Sequence, residues 1–287
     1  MLMERISELC RKNSAYLAAG ATVVGATAFL LKRFSNVKTN RICGIDYPRD
    51  VVILHPLGRG KTGPDTSHFV IKLETYLRFH KIPYQSDINI DNYKLGPKKK
   101  VPWIEYNGVT MGDSQMIIEF LNKEFNVDMD SHLTKQEKAL AWAVQKWIEE
   151  YMYWLSVQSA WVLFIDETFR DGISPFPMEE KSAVKKWVSN MTYTVGVGRH
   201  TKEEIHEMTV SNLRKFEDVL GDKKFIMGDK MGVVDCAAFG IISQMRWLTP
   251  SVCPGSRLFL EGEIPDVVKY LDRIRDQYWP DWESPIY

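Results

Sequence analysis

Apolar positions fall into three regimes along the chain. Residues 14–31 form a block without a charged side chain, mostly Ala, Gly, Val, Leu and Phe, set between Arg11-Lys12 and Lys32-Arg33. From Val51 onward, short apolar runs alternate with turn residues. Val51-Val52-Ile53-Leu54 is apolar throughout, as a buried parallel strand is. Phe69, Ile71, Leu73, Tyr76, Leu77 and Phe79 trace a helix with Thr66 or Ser67 as its N-cap. Pro83-Tyr84 opens a second strand. Residues 101–106 and 109–111 flank Asn107-Gly108, the pair best suited to a tight hairpin because both central positions take a positive φ. Pro102 fits the start of such a strand, where no ladder N–H is required. Ile117, Ile118, Phe120, Leu121 and Phe125 then recur at helical spacing behind Asp113 or Ser114, either of which serves as N-cap. The order strand, helix, strand, hairpin, helix predicts a mixed sheet.

From Thr134 the period is helical throughout. Thr134 and Glu137 make a capping box, as do Thr201 and Glu204. The first box opens a long helix carrying Trp142, Trp147, Tyr151, Trp154 and Trp161, aromatics expected in the core or at a domain interface. Further helices are predicted over 178–194, 201–220, 233–247 and 265–278.

The block at 14–31 just reaches the length of a spanning helix. Ala26-Thr27-Ala28 resembles a signal-cleavage site, but Phe29-Leu30-Leu31 carries the apolar run past it. A buried core helix would not need basic clusters at both ends. The expectation is therefore a flank at 1–13, a single-pass membrane anchor at 14–31 and a polar linker at 32–48. The slight excess of Lys and Arg after the block, with free cysteines, points to a cytosolic C-terminal body; which membrane is left open.

Composition removes other classes. Formal net charge is zero, without a basic stripe, which argues against nucleic-acid binding. Cys10, Cys43, Cys236 and Cys253 are far apart and form no CxxC motif. No His, Cys and carboxylate cluster has metal-ligand spacing, so no metal site is expected. Gly58-Arg59-Gly60-Lys61-Thr62 lacks the spacing of a phosphate loop; residues 55–66 read better as a lid over a small-ligand site. His68 is expected on the surface of a first helical turn, and His55, at a strand end, is an ambiguous site residue.

The unit from Val101 to Ser114 resembles the second half of the thioredoxin-like domain of glutathione transferases. More of the chain, from about 51 to 282, resembles the failed axon connections family and the cadmium-responsive proteins of nematodes, metaxin-like relatives of those transferases. The residues that carry this are Lys72-Leu73-Glu74-Thr75-Tyr76-Leu77-Arg78, Val101-Pro102-Trp103-Ile104-Glu105-Tyr106-Asn107-Gly108, Gly198 to Ile205, Gly221 to Gly228, and Tyr278-Trp279-Pro280-Asp281-Trp282. The resemblance implies an α+β thioredoxin-like domain at 49–128, an all-α domain at 129–282 and a tail at 283–287, often behind an N-terminal membrane helix. It also implies a structural motif at Phe225 to Asp235. There Asp235 matches a buried Asp, and Gly232 stands where relatives have a Ser or Thr cap.

For function, the resemblance implies glutathione as ligand and co-substrate, with no covalent cofactor. Pro102 would be cis, the backbone of Val101 would pair with the cysteinyl part of glutathione, and Asp113-Ser114 would hold its γ-glutamyl end. Transferases lower the thiol pKa with a Tyr or Ser hydroxyl, or use a Cys. No Tyr or Cys lies between Tyr47 and Tyr76, so Ser67 is the matching residue, with Thr66 as understudy. Ser67 as a plain N-cap is the competing reading. Two functions stay open: a membrane-anchored adaptor or structural protein, tied by resemblance to axonal development or metal stress, and a working glutathione transferase or peroxidase acting on electrophiles. Related transferases often pair, so a homodimer is among the partners the resemblance admits.

Overall fold

A computed structural model describes residues 47–58 and 63–283. The predicted membrane span at 14–31 lies outside the described residues. Among the described residues no helix is long and apolar enough to cross a membrane.

The chain first builds a four-stranded sheet of order β2-β1-β3-β4, with β1 at Val52–His55, β2 at Tyr84–Ser86, β3 at Trp103–Tyr106 and β4 at Val109–Gly112. β1 pairs with β2 in parallel and with β3 antiparallel, so the sheet is mixed, as predicted. The crossover from β1 to β2 runs through α1 (His68–His80), whose apolar positions are nearly all buried. A short α2 (Asn92–Leu95) precedes β3. The hairpin closes at Asn107 (φ 45°) and Gly108 (φ 86°), the positive angles that the Asn-Gly pair accommodates. α3 (Ser114–Glu124) follows β4, capped by Asp113, whose Oδ1 accepts from the N–H groups of Gln115 and Met116.

The rest is helical. A continuous run over 135–163, termed α4, opens on the predicted Thr134–Glu137 capping box and contains π-turns at Ile148–Met152 and Ser159–Leu163. α5 (Ile165–Arg170), α6 (Lys181–Val195) and α7 (Lys202–Leu220) follow, α7 opening on the capping box of Thr201 and Glu204. α8 (Val233–Ser243) is buried along its whole length and packs against α1. α9 (Ser256–Leu260) and α10 (Pro265–Tyr278) complete the element order.

Two expectations need correction. Trp142, expected in the core or at an interface on its spacing, is 59% exposed, because α4 turns Leu140, Trp142 and Ala143 to solvent while Ala141 faces inward. His68 was assigned to the surface, yet it is buried where α1 meets α4, its ring edge-on to Tyr153 and its Nε2 3.4 Å from Ser156 Oγ. Both fail for one reason: the register of a helix fixes its faces, but not which face a second domain covers.

Candidate functional site

The β3–β4 register sets Trp103 opposite Gly112, which brings the Val101-Pro102 step beside Asp113-Ser114. The Val101–Pro102 peptide bond is cis. Val101 lies outside the ladder, and its N–H and C=O make no hydrogen bond among the described residues. A strand-like segment with free backbone groups is an edge at which an extended peptide can pair. Asp113 holds φ at 87°, an unusual region for a residue with a Cβ, and is exposed; its Oδ2 is 3.7 Å from Lys98 Nζ. Ser114, at the first position of α3, is buried.

Ser67 occupies the N-cap position of α1, but its side chain makes no cap hydrogen bond. Its N–H is taken instead by Asp65 Oδ1 at 2.6 Å, while Asp65 Oδ2 accepts from Gly58 N–H. Burial pushes the Asp65 carboxyl up to about 8, against those backbone bonds. The Ser67 hydroxyl is thus left over from capping. Ser67 lines a cavity of about 310 Å³ between α1, the loop before β3, α4 and α6. Thr66 and Val101 share that wall, and Tyr153, Trp161, Phe176 and Trp187 make the far side largely aromatic. The Thr66 hydroxyl is buried without a hydrogen-bond partner.

The structure therefore brings Ser67 and Val101 to one cavity, with Pro102 directly behind Val101. Asp113 and Ser114 stand beside them at the start of α3, not on the cavity wall. His68 also reaches the cavity, but burial pushes its imidazole down to about 3, so it is neutral and has no charge to lend a thiolate. His55 is elsewhere, stacked on Trp103 with ring centroids 3.5 Å apart. Burial pushes it down to about 4, although Asp87, 3.6 Å from Nδ1, pulls the other way. Among the described residues no group of His, Cys, Asp and Glu is arranged to hold a metal. Cys236 and Cys253 are buried, and burial raises both thiols, Cys253 to about 12, so neither is a ready thiolate.

Sequence reasoning missed the far wall of the cavity. Trp161, Phe176 and Trp187 come from separate stretches of the helical domain, and no local pattern links them to Ser67. Nor does the local pattern show that Lys72, part of the family resemblance, meets Gln115, Gln145 and Glu149 in the interior.

An isoprene-epoxide–glutathione S-transferase from Rhodococcus sp. (strain AD45) is 30% identical over 233 residues, which cover 75% of this chain and 94% of that protein. The chain belongs to the glutathione S-transferase family. Family models for the glutathione S-transferase N-terminal and C-terminal domains match residues 68–169 and 210–274. Failed axon connections from Drosophila melanogaster is 25% identical over 296 residues, covering 96% of this chain and 67% of that protein, in line with the resemblance in the sequence. Among solved structures, a glutathione transferase from Burkholderia graminis, with two glutathione molecules bound per subunit, superposes with a TM-score of 0.56 at 14% identity, over 86% of this chain and 93% of that one. A β-etherase from Sphingobium sp. strain SYK-6 gives 0.55 at 17%, over 78% and 94%. These two show the shared fold: a thioredoxin-like domain followed by a helical one.

Proposed function

We propose that the protein binds glutathione and joins it to apolar electrophiles. The reading rests on one observation above the others: Ser67 stands at a helix N-terminus, its hydroxyl is not spent on capping that helix, and the residue lines a largely aromatic cavity. In this reading the cysteinyl backbone of glutathione pairs with Val101, and its γ-glutamyl end lies at Asp113-Ser114. The sulfur then comes to Ser67. The Ser67 O–H donates to the sulfur, and the positive end of α1 adds to the preference for thiolate. The thiol proton leaves to solvent. The thiolate attacks carbon, a C–S bond forms, and the bond to the leaving atom breaks, that atom taking the electron pair. The aromatic wall holds the electrophile's apolar body. The Rhodococcus relative, named for an isoprene epoxide, supports a small electrophile of this kind.

Ser67→Ala is expected to abolish conjugation of a model electrophile while leaving the thermal midpoint in place; unchanged turnover would remove Ser67 from the mechanism. Asp113→Ala is expected to weaken glutathione by about 1–3 kcal/mol in calorimetric titration, through lost charge-assisted bonds. Affinity equal to wild type would show that the ligand does not use this end of α3.

A second reading is a membrane-anchored adaptor with its C-terminal body in the cytosol. The charge-free block at 14–31 and the exposed Leu140 and Trp142 on α4 favour it. Carbonate extraction of the full chain separates the cases. Retention in the pellet supports a spanning anchor, and full release refutes it.

A further inference from the structure

Lys72 is the buried cation that the proposed chemistry does not use. It lies on α1 and is 1% exposed. Its Nζ is 2.6 Å from Glu149 Oε1 and 3.0 Å from Gln115 Oε1. Gln145 Nε2 donates to the same two acceptors, at 3.0 Å and 2.8 Å. Glu149 Oε2 accepts from Lys146 at 2.8 Å. Groups from three helices therefore meet here: Lys72 from α1, Gln115 from α3, and Gln145, Lys146 and Glu149 from α4. Cys236 of α8 also faces Lys72, as a neutral thiol. The charge count is uneven, because two ammonium groups share one carboxylate.

That surplus has a direction. Burial pushes the Lys72 ammonium towards its neutral form, with Glu149 opposing. Burial works against ionised Glu149 as well, but the attraction of Lys72 and Lys146 outweighs it and holds its carboxyl below the usual range. Gln115, which spends its side-chain oxygen on Lys72 and Gln145, is the second residue of α3, and its N–H donates to Asp113 Oδ1 at 3.1 Å. A single residue thus joins the buried cation to the turn that presents Asp113 and Ser114. Glu149, the other acceptor of Lys72, also belongs to the wall of the cavity that Ser67 lines.

We propose that Lys72 is a positioning residue for glutathione: acting through Gln115, it fixes the first turn of α3 and supplies the surplus positive charge that favours the γ-glutamyl carboxylate there. The inference rests on the glutathione reading above. Lys72 itself touches neither ligand nor reacting atoms. A carboxylate at Ser114 completes the charge balance of the network. A ligand without that carboxylate keeps the backbone pairing at Val101 and the contact of its sulfur with Ser67, but has no anionic group there for the surplus charge to favour. The residue matters for telling glutathione from other thiols more than for the conjugation step.

The test is calorimetric titration of the full chain with two ligands: glutathione, and 4-aminobutyryl-cysteinyl-glycine, which lacks only the γ-glutamyl carboxylate. Wild type should prefer glutathione by on the order of tenfold, the scale of one charge-assisted interaction. Lys72→Gln keeps donors for Glu149 and Gln115 but removes the charge. It should erase most of that preference, leaving the affinity of the analogue unchanged, and Lys72→Arg should retain it. If Lys72→Gln weakens both ligands equally, the network only holds the fold and the inference fails, while the glutathione reading stands. If wild type binds neither ligand, both fall. Should Lys72→Gln not fold, Gln115→Met decides: it removes no charge, sits at a half-buried position, and should lower glutathione affinity at least about threefold with the analogue unaffected. Equal loss for both ligands, or none, overturns the proposal.

Discussion

At position 232 a family cap residue is missing, and the structure supplies it from another part of the chain. Asp130 Oδ1 accepts from Val233 N–H at 3.0 Å, capping α8 across 103 residues of sequence. A Cβ on Gly232 would stand 2.6 Å from that same oxygen, so the Asp130 carboxylate and a local cap compete for one space. Asp235 behaves as its position in the motif suggests: its carboxylate accepts from the N–H groups of Ile226 and Gly232 and from Tyr270 Oη. Asp130→Ala is expected to cost about 1 kcal/mol, the usual value of a cap, and Gly232→Ser about 1–2 kcal/mol through crowding. Together they should cost less than their sum, because the serine can then cap α8 itself. Denaturant unfolding of the four proteins of this cycle measures it, and strict additivity would sink the account. The Asp235 motif was legible in the sequence. The trans cap was not, because nothing local ties 130 to 233.

α1 shows how one element serves packing and site together. Its N-terminus carries Ser67 and His68, its buried face carries Lys72, and its C-terminal turn carries Arg78. The apolar period gave the helix and its N-cap position, but it could not tell that the capping hydroxyl is unspent. The burial of His68 in this element and of His55 in β1 has a consequence for pH. Both are neutral in the fold, with values near 3 and 4 against 6.5 in the unfolded chain. The unfolded state then binds more protons below pH 6.5, so stability supplied by these groups is complete above 6.5 and is lost as pH falls towards 3–4. Each is expected to withdraw about 2 kcal/mol by pH 5. Asp65, raised from 3.8 to about 8, has the opposite slope: its contribution is complete below 3.8 and is lost as pH rises through 8. The informative quantity is therefore a difference between proteins. His68→Gln should flatten the fall in denaturation midpoint between pH 6.5 and 5 relative to wild type. An identical slope in the two proteins would mean that His68 charges within the fold.

On the scale of the whole molecule, the two domains are held by a close helix–helix contact and a C-terminal clasp. A Cβ on Gly240 of α8 would lie 2.4 Å from the His68 carbonyl oxygen and 3.0 Å from Lys72 N, so α8 lies directly on the backbone of α1. Beyond α10, Asp281 pairs with both terminal nitrogens of Arg78, whose guanidinium lies 4.1 Å from the Trp279 ring centroid, and Trp279 Nε1 donates to Thr75 Oγ1. Gly240→Ala is expected to cost about 1–3 kcal/mol or more, and to reduce glutathione affinity by displacing Ser67 and Lys72 together. A normal denaturation midpoint would show that α1 and α8 separate without strain. The sequence by itself determined the order of the strands and of the long helices, the Asn-Gly hairpin, the capping boxes and the family, because periodicity, turn chemistry and caps are properties of neighbours along the chain. It also pointed to Ser67, Val101, Pro102, Asp113 and Ser114 as a set, by resemblance. Only the tertiary structure decided that His68 is buried and Trp142 exposed, that an aromatic cavity opens beside Ser67, and that Lys72 reaches Gln115 and Glu149. Those facts depend on which helix faces meet across the two domains, and contacts between residues far apart in sequence leave no mark on the local pattern.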